Sequence, residues 1–348
     1  VSDPNVQPAI RVRHLWHRFG RFDVLRDVSF DVQHGEIFGF IGPNGAGKTT
    51  TIRVMATLLE PLAGRVEIDG LDVTIDPERV RKIIGYMPDH AGVYERVTVR
   101  EYLEFFADAY CVPTAGTSYA VVDAVMELTD LTKLREKLVA TMSKGMKQRL
   151  QLARTLLHDP KVLILDEPAS DLDPRARIEI RDLLVELRSM GKTIFLSSHI
   201  LTELADVCTS VAILERGRLI VAGPISEIAR RLEMSGPTAA PQPAPAYAPD
   251  GSAPHVPAPQ PEIPKRHVKL RVLAPGEAVA AALIGLPFVY KVAPGPGGTV
   301  VVTYAGDDQT VALVVRAIVM AGVPVAGVEP ERNELERIFL EVTKGEVQ

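Results

Sequence analysis

The residues best equipped for chemistry lie in one run, Gly42-Pro43-Asn44-Gly45-Ala46-Gly47-Lys48-Thr49-Thr50. Its spacing fits G-x-x-x-x-G-K-[ST], a loop whose successive backbone N–H groups turn inward around phosphate oxygens. Gly42, Gly45 and Gly47 let the backbone wrap, Asn44 and Thr50 complete the loop, and Lys48 can reach the β- and γ-phosphates. The Thr49 hydroxyl can ligate Mg²⁺. The apolar stretch 37–41 reads as a buried strand before the loop and 49–59 as a helix after it, so the phosphates would meet a positive helix end. The chemistry implied is binding of a nucleoside triphosphate with Mg²⁺.

Downstream, Lys161-Val162-Leu163-Ile164-Leu165 is a second buried-strand run, and it ends in Asp166-Glu167-Pro168. An acid at the C-terminal end of a parallel strand beside such a loop can hold Mg²⁺ through water. The next acid, Glu167, can polarise an attacking water. Before this strand comes Met142-Ser143-Lys144-Gly145-Met146-Lys147-Gln148-Arg149, followed by a helical run to His158.

That segment resembles the L-S-G-G-Q signature of ABC-type ATPases, with Lys144 and Met146 standing where the pattern has a glycine and the glutamine. Ser143 and Gly145, the positions expected to face phosphate, are present. A helix N-terminus with a free hydroxyl is a second anion site; the resemblance implies that it serves the nucleotide of a partner subunit. The series continues in order. Ser170-Asp171-Leu172-Asp173 looks like the D-loop, His199 after strand 193–196 looks like the switch histidine, and Phe19 looks like the aromatic that stacks on adenine. The likeness spans about 10–232.

Within that family the chain looks most like ATPase subunits of ABC-2-type exporters, on the strength of Tyr86-Met87-Pro88-Asp89-His90, the S-K-G-M-K-Q-R form of the signature, and the ending 330–341. One position departs: Asp89 stands where most members carry the Q-loop glutamine. It can enter the Mg²⁺ shell or be a turn residue, and both readings stay open. The resemblance implies an ATPase working as a head-to-tail homodimer, or with a paired ATPase subunit, beside a separate membrane permease. It also implies a cytoplasmic location, peripheral on the inner face of the membrane. The alternative is a soluble ABC ATPase acting as a mechanical switch on a non-membrane partner.

Composition bounds the rest. A chain of 348 residues suggests two or three domains. A net charge of −5, from 39 basic and 44 acidic residues, gives no electrostatic reason to expect nucleic acid. Cys111 and Cys208 form no ligand spacing and read as reduced thiols in apolar helical contexts. The first residues show no leader pattern, and no stretch is long and apolar enough to span a membrane.

The expected fold is α/β: a P-loop cassette (1–235) with a parallel-sheet core, an antiparallel β subdomain and a helical subdomain. The alternation over 9–30 suits the antiparallel sheet. The helical pattern of 98–138 suits the insertion, with Tyr102, Phe105, Phe106 and Tyr110 read as a core stripe. Residues 236–264 are rich in Pro and Ala, lack Lys and Arg, and read as an extended linker. Residues 265–348 read as βαββαβ plus a last helix, a ferredoxin-like α+β domain. It carries no chemistry and reads as a regulatory or dimer-stabilising module in preference to a ligand sensor.

Overall fold

The computed structural model describes residues 7–89, 92–112, 119–199, 207–228, 265–294, 299–306 and 308–330. They fall in two compact units, one on each side of the Pro/Ala tract, which lies outside the described residues.

The first unit is built around a six-stranded sheet. Its order is β10 (Arg218–Pro224), β9 (Ser210–Glu215), β3 (Ile37–Ile41), β8 (Thr193–Ser198), β7 (Val162–Leu165) and β6 (Ile84–Met87). All neighbours run parallel except the β9–β10 hairpin. The central strands are buried on both faces, which is why they read as unbroken apolar runs. Alternation then splits them between two cores. Ile37, Ile41, Leu163, Leu165, Ile194 and Leu196 face the helical side. Phe38, Phe40, Ile164 and Phe195 face the other, where Phe30 packs with its centroid 5.5 to 5.9 Å from Phe38, Phe40 and Phe195.

That second core is closed by α1 (Lys48–Met55) and by an antiparallel sheet in the order β2 (Phe22–Val32), β1 (Ile10–Phe19), β4 (Ala63–Ile68), β5 (Leu71–Asp72). Helix α1 is shorter than its sequence pattern predicts, because Thr57 takes a left-handed conformation at φ 60° and ends the run.

The first core is covered by α3 (Val99–Ala109), α4 (Ala120–Leu128), α5 (Lys144–Leu156) and α6 (Pro174–Ser189). A further short helix, α2 (Pro77–Ile83), leads into β6. Each of α3, α5 and α6 begins on a capping side chain. Thr98 and Glu101 form a reciprocal capping box, Ser143 accepts from the Met146 N–H, and Asp173 accepts from the Ala176 N–H ahead of Pro174.

The insertion departs from the expected helical run. Its described residues hold two separate helices and a 3₁₀ turn at Thr132–Leu134, with Asp130 left-handed at φ 52° between the second helix and that turn. The aromatic stripe also splits. Tyr102 is buried, whereas Phe105 and Tyr110 are exposed, because at about 3.6 residues per turn they fall to either side of Tyr102, off the face that meets the core. Neither cysteine is helical. Cys111 is exposed in the turn after α3, at φ 53°, and Cys208 is buried in the approach to β9, where burial pushes its thiol pKa up.

The second unit is β11 (Lys265–Val272), α7 (Gly276–Leu283), β12 (Val289–Pro294), β13 (Thr299–Ala305), α8 (Asp308–Met320) and β14 (Val325–Pro330). Its sheet order β12-β13-β11-β14, antiparallel throughout, is the ferredoxin-like arrangement that the element order predicts. Val268, Leu270, Val300, Val302 and Tyr304 of the sheet pack with Val279, Leu283, Val314 and Ile318 of the helices. The expected final helix, 334–342, lies outside the described residues.

Candidate functional site

Four adjacent parallel strands, β3, β8, β7 and β6, end at one edge of the sheet, and the register shows what each delivers. Ile41 pairs with Ser198, Leu196 with Leu165, and Leu165 with Met87. The residues that follow are Gly42 to Thr50, His199, Asp166 with Glu167, and Asp89, so positions far apart in sequence become neighbours at the C-terminal ends of the strands. Asn44, Gly45, Gly47 to Thr50, Asp89, Glu167 and His199 line one cleft of about 540 Å³ with Phe19, Phe22, Val24, Ser170 and Asp171.

The glycines are dictated by close approach. A Cβ on Gly42 would sit 2.3 Å from the Leu214 carbonyl oxygen. One on Gly47, at φ 110°, would meet Leu25 at 2.6 Å. Gly47 precedes α1, whose start has no side-chain cap and no acid in its first turn. The first N–H groups of that helix have no carbonyl a turn earlier. An uncapped helix start beside a buried cation is built for an anion, and this is the fit a triphosphate needs. Lys48, only 6% exposed, folds back to donate to the Gly42 carbonyl at 2.7 Å, and its Nζ lies 3.4 Å from Glu167 Oε1.

Glu167 is held from several sides. Its backbone is left-handed at φ 50°, a costly conformation for a residue with a side chain. Its N–H donates to Ser197 Oγ at 3.0 Å, and that hydroxyl in turn donates to Asp166 Oδ1 at 2.6 Å. His199 Nδ1 lies 2.8 Å from Glu167 Oε2. Burial pushes the Asp166 carboxyl above its ordinary range, and the charges of Asp89 and Glu167 add to this against the hydroxyls of Ser197 and Thr49.

The oxygen donors Thr49, Asp166 and Asp89 suit a hard cation. Among the described residues no three His, Cys, Asp or Glu side chains close around one point. Such oxygen donors fit Mg²⁺, which is held by one or two carboxylates together with waters and phosphates rather than by a protein cage.

Other predicted positions lie elsewhere. Ser143, Gly145 and Asp173 do not line the cleft. The Ser143 hydroxyl oxygen accepts from the Met146 N–H at 3.3 Å while capping α5, which leaves its O–H able to donate. Gly145 lets α5 approach α6, for a Cβ there would lie 2.9 Å from Ala176. Asp173 caps α6. Lys144 Nζ pairs with Asp171 Oδ2 at 2.9 Å, tying the start of α5 to a residue of the cleft wall.

Three positions went unread in the sequence. Ser197 bridges the two acids, and its signal was a polar pair, Ser197-Ser198, ending an apolar strand. Gln148, buried in α5, donates to the Pro168 carbonyl at 2.8 Å. Phe22 lines the cleft opposite Phe19 in the β1–β2 ladder.

The comparisons agree with this geometry. Residues 25–170 match the family model described as ABC transporter. An uncharacterised ABC transporter ATP-binding protein of Bacillus subtilis is 44% identical over 198 residues, 57% of this chain and 64% of its own length. The chain thus spans just under two thirds of that relative. The Nod factor export ATP-binding protein I of Burkholderia lata is 38% identical over 214 residues, 62% of this chain and 70% of its own. A solved ATP-binding subunit of an ABC transporter is 33% identical and superposes with a TM-score of 0.58, covering 66% of this chain and 95% of that one. With the phosphate loop, the paired acids and the histidine meeting at one strand edge of a fold shared with that subunit, the chain belongs to the ABC transporter family of ATP-binding proteins.

Proposed function

We propose that this protein is the ATP-binding and ATP-hydrolysing subunit of an ABC-type exporter, coupling MgATP-driven closure of a subunit pair to substrate movement through a separate permease. The observation that carries the reading is the contact chain Lys48–Glu167–His199 at the mouth of an uncapped helix. The loop Gly42 to Thr50 cradles the phosphates, Lys48 takes charge from the β- and γ-phosphates, and Phe19 stacks on the base. Thr49 and Asp166, with Asp89 beside them, would hold Mg²⁺, which would supply neutralising charge to the phosphate oxygens. Glu167 orients the water that attacks the γ-phosphorus and receives its proton as the bond to the bridging oxygen breaks. His199 fixes that carboxylate. Catalysis is then positioning plus electrostatics.

In this reading Ser143 and Gly145 complete the phosphate shell of the site on the opposite copy, with Asp173 and the D-loop at the same junction. The partner is a second copy, or a paired ATPase subunit, and the location is peripheral, on the inner face of the membrane through the permease. The relative named for Nod factor export supports the direction of transport. No helix among the described residues is long and apolar enough to cross a membrane, in keeping with a permease on another chain. Residues 1–235 form the cassette, 236–264 a tether, and 265–348 a dimer-stabilising or regulatory module.

The test is Glu167→Gln, which keeps the shape of the side chain and removes the carboxylate. ATP binding should persist while turnover falls at least ~10²-fold, and ATP-bound pairs should accumulate on a sizing column. Turnover equal to wild type would remove Glu167 from the mechanism.

A further inference from the structure

The β1–β2 hairpin turns through Gly20 and Arg21, so Phe19 and Phe22 are directly paired at its tip. Gly20, at φ 58°, supplies the left-handed position such a tight turn requires. Side chains paired in this way lie on one face of a ladder. Neither ring enters the core: Phe19 is 50% exposed and Phe22 68%. Both line the same cleft as Gly45, Gly47, Lys48 and Thr50. Two large aromatic rings left in water beside a phosphate cradle are apolar surface in want of a flat, apolar partner.

We propose that Phe22 is a second base-binding ring beside Phe19. This rests on the nucleotide reading of the cleft. The support beyond exposure is the brace on its neighbour: the Phe19 ring is held by His17, whose ring packs edge-on at 4.6 Å and is itself buried, so Phe19 offers a fixed platform and Phe22 a second surface next to it. Every base presents a π face on which such rings can stack.

The experiment measures binding of MgATP, MgGTP and inorganic tripolyphosphate by calorimetry to the full chain and to Phe22→Ala and Phe22→Trp. The Ala variant should bind ATP and GTP about tenfold more weakly, within the usual worth of one stacked base, and tripolyphosphate within twofold of wild type. The Trp variant should bind all three as wild type does. The role of Phe22 is overturned by an Ala variant that keeps ATP affinity, by a parallel loss of tripolyphosphate, which reports a damaged loop, or by failure of Trp to rescue. A wild-type chain that binds none of the three overturns the nucleotide reading itself, and the inference with it.

Discussion

His199 and Lys48 pin the two oxygens of Glu167 separately: Nδ1 of His199 lies 2.8 Å from Oε2, and Nζ of Lys48 lies 3.4 Å from Oε1. The backbone N–H of His199 also points at Oε2, at 3.4 Å. A carboxylate held at both ends cannot swing freely, and in the proposed mechanism this keeps it in line with the attacking water.

Replacing His199 with Ala should therefore cost turnover while sparing affinity. We expect single-turnover hydrolysis to fall by ~10 to 10²-fold, with the Kd for ATP within threefold of wild type. Combined with Glu167→Gln, the loss should be no greater than that of Glu167→Gln alone, since the two residues act as one unit. Additive losses would mean that His199 works apart from Glu167.

Asp89 stands two residues beyond β6, next to the strand that delivers Asp166, and its charge helps to raise the Asp166 pKa. If Asp89 belongs to the metal shell, Asp89→Asn should raise the Mg²⁺ concentration for half-maximal hydrolysis several-fold, on the order of the effect of losing one outer ligand. The check is a Mg²⁺ titration at saturating ATP. An unchanged midpoint assigns Asp89 to the turn.

The helical face offers a test of permease docking. Tyr94 and Phe105 are exposed and pack edge to face at 5.5 Å. Val97, by contrast, is packed against the core, so a bulky residue there would disturb folding instead of the surface. Phe105→Asp should reduce recovery of the chain in the membrane fraction with its permease by about tenfold, as expected for losing an aromatic anchor of a helix-binding groove, and leave ATP binding intact. Recovery with ribosomes or nucleic acid in place of membrane would replace the exporter reading with the mechanical-switch one.

His158 makes stability depend on pH. Burial lowers its pKa below the ordinary 6.5, against the opposing hydrogen bond at 2.8 Å to the Ile84 carbonyl. The unfolded chain thus binds a proton that the fold refuses, so stability rises with pH across the window between the two pKa values and falls below 6.5. His158→Gln keeps a donor for Ile84 and removes the proton site. Denaturant midpoints between pH 7.5 and 5 should fall less steeply in the variant, by at most ~1.4 kcal/mol per pH unit; parallel slopes would clear His158 of this role.

The phosphate loop, the paired acids and both α/β units were legible in the sequence, because each is local. A buried parallel strand must be apolar along its whole length, and a phosphate cradle must carry glycines at a fixed spacing. Tertiary structure decided what local pattern cannot encode. Glu167, His199 and Lys48 meet only because β3, β8 and β7 lie side by side, an order set by crossover connections and not by any one segment. The bridging of two acids by Ser197 and the pairing of Lys144 with Asp171 depend on that same adjacency. The aromatic stripe of α3 looked like core because helical periodicity finds a face but not its width, and only packing against α5 left Tyr102 inside and Phe105 in water. Phe22 escaped notice for the complementary reason: an exposed aromatic in a hairpin carries no periodic signal, and its meaning comes from the cleft that the rest of the fold builds next to it.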